Sequence, residues 1–248
     1  MAELVLDWSL LGSYGTSLDD NDGAVSASVD TGGVAVDISF DGAIESAQAF
    51  TFNASGYVGP GETFSPNSFL KLFGDAGASG DSLTSTTVLD FRSTDTALYT
   101  DQVQNIAFRL NDVDAGSTED EGTTGTGWED IVEITAFDAE GNPVAVTITP
   151  GGEVDVAGDV LTGGADGAYT DADTSALVEI AGPVARIEIT YSNGDTASQR
   201  ILVSDIEFET VDVTDAVDPV AADDSGSTIE GTAGTIDGRG NDSDPDNA

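Results

Sequence analysis

The stretch WEDIVEITAFDAEGNPVAVTITP, residues 128–150, decides the fold. Val132, Ile134 and Ala136 recur at every second position, as do Val144, Val146 and Ile148, and a period of two marks strands with one face in an apolar core. The DAEGN segment between them has the chemistry of a turn, so the whole stretch predicts a β-hairpin. Asp138 reads as a turn residue, with a metal ligand as the alternative, and Gly141 or Asn142 supplies a positive φ. The carboxylate spacing of an EF-hand is absent.

The alternation continues outward in both directions. GGVAVDISF (32–40) puts Val34, Val36, Ile38 and Phe40 on one face, AQAFTFNA (47–54) follows as a strand, and VQNIAFRL (103–110) turns Ile106, Phe108 and Leu110 inward. VARIEITY (184–191) and RILVSDIEFETV (200–211) are two more strands. In the second of these, Leu202, Ser204, Ile206 and Phe208 are expected on one face, with Asp205 and Glu207 on the other. Short strands between turns rich in Gly, Asp, Ser and Thr predict an all-β, antiparallel β-sandwich of jelly-roll type spanning residues 1–211. An acidic linker is expected over 212–220. Residues 221–248 hold few core residues and read as the truncated start of a further repeat.

Composition excludes several functions. Of 248 residues, 47 are acidic and 6 basic, giving a formal charge of −41 that repels nucleic acid and anionic membranes. No segment is long and apolar enough to span a bilayer, and MAELVLDWSLLG lacks the basic start of a signal peptide. Without Cys or His, disulfides, thiol chemistry, the usual general base and the commonest zinc ligand are all missing. Oxygen-loving ions, calcium above all, are left as the plausible metals. An acidic coat that keeps a salt-adapted protein soluble is the alternative source of the charge.

Candidate sites follow from the carboxylates. Asp112 and Asp114, one residue apart at the end of a strand, would point to the same face about 7 Å apart, and like charges so placed repel unless a cation intervenes. With Asp130 across the following loop they make a candidate calcium site; a solvated strand end is the alternative. Asp205 either reaches a neighbouring ion or faces water. Asp19, Asp20 and Asp22 form a further cluster that any exposed acidic turn could show. Trp128 is expected to anchor the sandwich edge or to serve as a platform for a sugar ring. Tyr14, Tyr57, Tyr99, Tyr169 and Tyr191 fall in or near expected loops and could do the same. Arg92, Arg109, Arg186 and Arg200 should each pair with an acid. Glu129, Glu133 and Glu188 could supply a glycosidase carboxylate pair, but no cleft, Ser-His or Cys-His arrangement accompanies them, so the chain is not expected to be an enzyme.

Two segments resemble known families. AADDSGSTIEGTAGTIDGRGNDSDPDNA, residues 221–248, resembles the opening of the cadherin-like and VCBS-type tandem repeats of large bacterial surface proteins, RTX adhesins among them. That resemblance implicates Asp242, Asp244 and Asp246 in calcium binding. Residues 106–148, with Asp112 and Asp114, Trp128 and Asp130, then Asp138, Gly141, Asn142 and Val144, are similar to a β-sandwich module of the same kinds of protein, although the acidic insert AGSTEDEGTTGTG (115–127) is unusually long. The strand carrying Asp205 completes the likeness. Together they imply a secreted, calcium-binding module at the bacterial cell surface, next to further repeats of its own chain. It would bind a cell-surface glycan or else act as a structural spacer.

Overall fold

The computed structural model describes residues 1–18, 25–75, 82–117, 127–213, 229–231 and 233. Asp19, Asp20, Asp22, most of the acidic insert, almost all of the linker and of the repeat-like tail, and Asp242, Asp244 and Asp246 lie outside the described residues. The chain divides into two compact units, Met1–Asp212 and Val213–Ala248.

In the first unit the strands are β1 (Glu3–Leu6), β2 (Val25–Asp30), β3 (Val34–Gly42), β4 (Gln48–Phe52), β5 (Phe69–Gly74), β6 (Ser82–Ser93), β7 (Tyr99–Asn111), β8 (Ala115–Ser117) and β9 (Gly127–Phe137). They continue as β10 (Pro143–Val144), β11 (Thr147–Pro150), β12 (Val154–Ala157), β13 (Val160–Gly163), β14 (Ala176–Ile180), β15 (Arg186–Asn193), β16 (Gln199–Ser204) and β17 (Ile206–Asp212). One sheet runs β1-β17-β7-β16-β5-β4, with β14 also on β7 and β11 on β14. The other runs β12-β13-β9-β15-β6-β3-β2, with β8 and β10 against β9. The result is an antiparallel β-sandwich, and no helix among the described residues is long and apolar enough to cross a membrane.

The core comes from the expected alternation. Val34, Val36, Ile38 and Phe40 of β3, Ile106, Phe108 and Leu110 of β7, and Val132, Ile134 and Ala136 of β9 are all buried between the sheets. Phe91 of β6 meets Phe208 of β17 edge to face across the layers, 5.3 Å between centroids, a geometry aromatic quadrupoles favour. At the N-terminus Trp8 is wholly buried, its indole N–H donating to the Ser204 carbonyl at 2.7 Å.

Two details differ from the sequence reading. The DAEGN turn forms, with Asp138 accepting from the backbone N–H groups of Glu140 and Asn142 and Gly141 at φ 80°. Its second arm pairs with β9 only at Pro143 and Val144. A continuing hairpin would set Ile148 opposite Val132, but Leu161 of β13 holds that place. The chain crosses instead to the other sheet, where Ile148 pairs with Val178.

The second difference lies at Asp205. Val203 opposes Leu110 and Glu207 opposes Ala107, so one extra residue is accommodated between them. That bulge reverses the alternation. Ile201 and Val203 enter the core before it and Ile206 and Phe208 after it, which leaves Leu202 and Ser204 on the opposite, outer face. Asp205 is buried rather than outward-facing.

Candidate ligand-binding site

Strand β7 ends at Asn111, and the next residue, Asp112, takes φ 64°, a left-handed conformation that Asp tolerates better than most residues. This twist sends Val113 into the core and separates Asp112 from Asp114, which are therefore not neighbours on one strand face. The structure does bring Asp112, Asp114 and Asp130 to one junction, all buried.

Donors occupy most of their oxygens. Asp114 accepts from Trp128 Nε1 at 2.9 Å, Gln199 Nε2 at 2.7 Å and the Gly167 N–H at 3.0 Å. Asp130 accepts from the Tyr191 hydroxyl at 2.6 Å and the Asp114 N–H at 3.2 Å. Asp112 faces Arg200, whose Nε is 2.9 Å from Oδ2, yet no hydrogen bond is directed at that oxygen. Asn111 Oδ1, on the preceding residue, is also buried without a donor. Burial pushes the Asp112 carboxyl up to about 7, with Arg200 and Lys71 opposing and Asp114 and Asp166 reinforcing. Burial likewise raises Asp114 and, more strongly, Asp130. Among the described residues no group of three or more acidic side chains is arranged to hold a metal ion.

Asp205 belongs to a different place. Its Oδ2 accepts from the Ser65 N–H at 3.3 Å, its Oδ1 has no donor, and burial and the Asp7 charge push it up to about 6. The Ser68 hydroxyl, which lies between these two acids, donates to Asp7 at 2.9 Å.

The half-buried Trp128 lies flat on Gly116, its cross-strand partner, where an added Cβ would come within 2.4 Å of the ring. Its indole N–H is spent on Asp114, so it serves as an anchor here. Tyr191, expected near a loop, is a buried strand residue. Glu133 is exposed, Glu188 is bound to Arg186 at 2.8 Å, and Glu129 packs against Gly194.

Next to the junction lies a surface that pattern reading missed. Directly opposed residues of an antiparallel sheet share a face. Phe50, Lys71, Leu202 and Asn111 form one such row, Phe73 and Arg200 a second, and Phe52, Phe69 and Ser204 a third. Because Ala49, Leu70, Leu72, Ile201 and Val203 fill the core, these rows point outward.

Residues 53–68 roof one side of this face. Asn111 Nδ2 donates to the Tyr57 carbonyl at 3.0 Å, and Gly56 passes so close above Phe69 that a Cβ would sit 2.3 Å from its ring. The roof buries Phe69 and Leu202. It is pinned by Arg109, which stacks on Tyr57 and binds Glu62 through Nη2 at 2.7 Å.

Beyond the roof the face is only half buried, and aromatic rings line it. The Lys71 ammonium lies 4.9 Å from the centroid of Phe50, 5.6 Å from Phe52 and 5.0 Å from Phe73. Phe52 meets Tyr169 edge-on at 6.1 Å and the exposed Tyr14 at 5.7 Å, while Arg200 lies over Tyr169. Phe52 and Tyr14 also wall a cavity of about 250 Å³ with Ser9, Ser13, Asn53 and Asn67 at its rim. Stacking surfaces beside hydroxyls and amides suit an amphipathic ring.

Compared with family models and with curated proteins, the chain matches none. Among solved structures it is similar to the enzymatically active domain of bacteriophage CBA120 tailspike protein 4, at 15% identity and a TM-score of 0.29. That match covers 71% of this chain and 19% of the other.

Proposed function

We propose that residues 1–212 form a non-catalytic glycan-binding module of a bacterial surface adhesin, and that the outer face of the β4-β5-β16 sheet is where the glycan lies. The observation that carries this reading is the aromatic surface of the half-buried Phe50, Phe52, Phe73 and Tyr169 and the exposed Tyr14 beside the rim of Asn53 and Asn67. Sugars present an apolar C–H face and a polar edge, and rings flanked by amides offer both contacts. Immobilised glycans probed with the whole chain and with Phe52→Ala test it. Binding lost in the variant while its melting curve stays cooperative supports the module; equal binding by both proteins removes this face from consideration.

Calcium belongs to the proposal at a narrower place than the sequence suggested. Asp114 and Asp130 have donors on their oxygens, whereas Asn111 Oδ1 and Asp112 Oδ2, on consecutive residues, are buried acceptors without a hydrogen-bond donor, the latter ion-paired with Arg200. A hard cation would take these oxygens by displacing Arg200 from Asp112. Melting with calcium and then with chelator decides it: an unchanged midpoint leaves the pair to ordered water. A calcium-dependent midpoint without binding to any glycan would favour the spacer reading.

A further inference from the structure

Lys71 is the chain's one lysine, in a protein with 47 acidic side chains, and it has no ion pair or hydrogen bond among the described residues. The four arginines of the described residues all have carboxylate partners. The charge of Asp112 is felt at Lys71, but Asp112 is paired with Arg200, and Lys71 itself is ringed by three phenylalanines at the middle of an outward face. Cation–π contact holds the ammonium in position but offers no acceptor to its three N–H groups. Arg200, on the neighbouring row, pairs with Asp112 through one edge and keeps its side chain 34% exposed. Three of the six basic residues of the whole chain, Lys71, Arg109 and Arg200, are thus gathered on this one face.

We propose that this face binds an acidic polysaccharide, a chain of uronic acid residues, with a sugar ring on Phe52 and its carboxylate on Lys71 and the free edge of Arg200. The assignment rests on the glycan-binding reading above and names its ligand class. Phe52 is the wall common to the ring-sized cavity and to the ammonium, which places a stacking surface and a cation within one sugar of each other. The carboxylate supplies the acceptor that Lys71 lacks. The chain's overall negative charge opposes a polyanion at long range, but at physiological salt charges beyond about 8 Å are screened, so contact groups decide the affinity.

The test uses the whole chain in physiological salt with chelator, so that calcium bridging contributes nothing. Oligogalacturonate and alginate oligomers are titrated by calorimetry beside methyl-esterified oligogalacturonate, which keeps the rings and loses the charge. The acidic forms should bind about tenfold or more tightly than the ester, and Lys71→Met, which keeps the apolar stem, should erase most of that preference, read as the ratio of acid to ester affinity in each protein. A second readout needs no variant: peptide mass spectrometry separates acetylation of the single lysine from that of the N-terminal amine, and the acidic oligomers should slow the former several-fold and leave the latter as an internal control.

Equal affinity for acid and ester with no effect of Lys71→Met would overturn the uronate assignment and leave the glycan reading intact. So would binding of neutral glycans alone on the immobilised panel, or acetylation of Lys71 at the same rate with ligand bound. If the panel shows no glycan binding of any kind, both readings fall together.

Discussion

Replacing Asp112 with Asn should stabilise the protein at neutral pH and change little in acid. Asn keeps the shape of the side chain and tolerates the left-handed φ of 64° at this position, so the substitution tests charge rather than geometry. Asp112 titrates near 7 in the fold against an ordinary value of 3.8, chiefly because it is buried. A raised carboxyl keeps its proton in the folded state while the unfolded chain loses one, so stability falls as pH rises from about 4 to about 7. The full shift, roughly 3 pKa units, is worth about 4 kcal/mol, of which about 2.5 kcal/mol should disappear between pH 5 and pH 8.

For a unit of this size that corresponds to roughly 5–10 °C in Tm. Thermal melts in chelator at several pH values should show the wild type losing this much, over and above the general repulsion of an acidic chain, while Asp112→Asn loses less by that margin. Parallel curves for the two proteins would show that Arg200 fully compensates the charge and would refute the reasoning. If calcium reverses the order and makes the wild type the more stable protein, Asp112 is an ion ligand.

Other expectations follow from the same contacts. Tyr191→Phe removes the 2.6 Å donor to a buried carboxyl and should cost about 1.5–3 kcal/mol in urea unfolding if Asp130 is ionised, but clearly less once it is protonated in acid. Gly116→Ala puts a methyl group against the Trp128 ring and should cost about 1–3 kcal/mol, with Trp128 fluorescence shifting to the red; an unshifted spectrum would mean that the strand moves instead. Asp205→Asn should flatten the stability profile between pH 4 and 6, because burial holds that carboxyl near 6; an unaltered profile would mean that Ser68 turns its proton from Asp7 to Asp205.

Much of this architecture is visible in the order of residues. Val34 to Phe40, Ile106 to Leu110 and Val132 to Ala136 alternate as strands with one face in a core must, and burial of apolar side chains enforces that period whatever the neighbours are. The DAEGN turn is equally local, since Asp138 caps its own loop and Gly141 supplies the positive φ. The gathering of Asp112, Asp114 and Asp130 was legible too, as carboxylates crowded near one strand end.

Tertiary structure alone decided how each residue is used. Whether Val144 to Ile148 completes a hairpin depends on β13, a distant strand that claims the same edge of β9. The bulge at Asp205 depends on the spacing along β7, and it exchanges the faces of Leu202 and Ile201. The donors on Asp114 come from residues 128, 167 and 199, which are remote in the chain. Lys71 shows the division most clearly. In sequence it is an isolated cation between apolar residues, and only the pairing of β4, β5 and β16 surrounds it with rings and leaves it without an ion pair among the described residues. Alternation is imposed by each strand on itself, whereas a site is made by side chains from several strands, whose proximity no local pattern records.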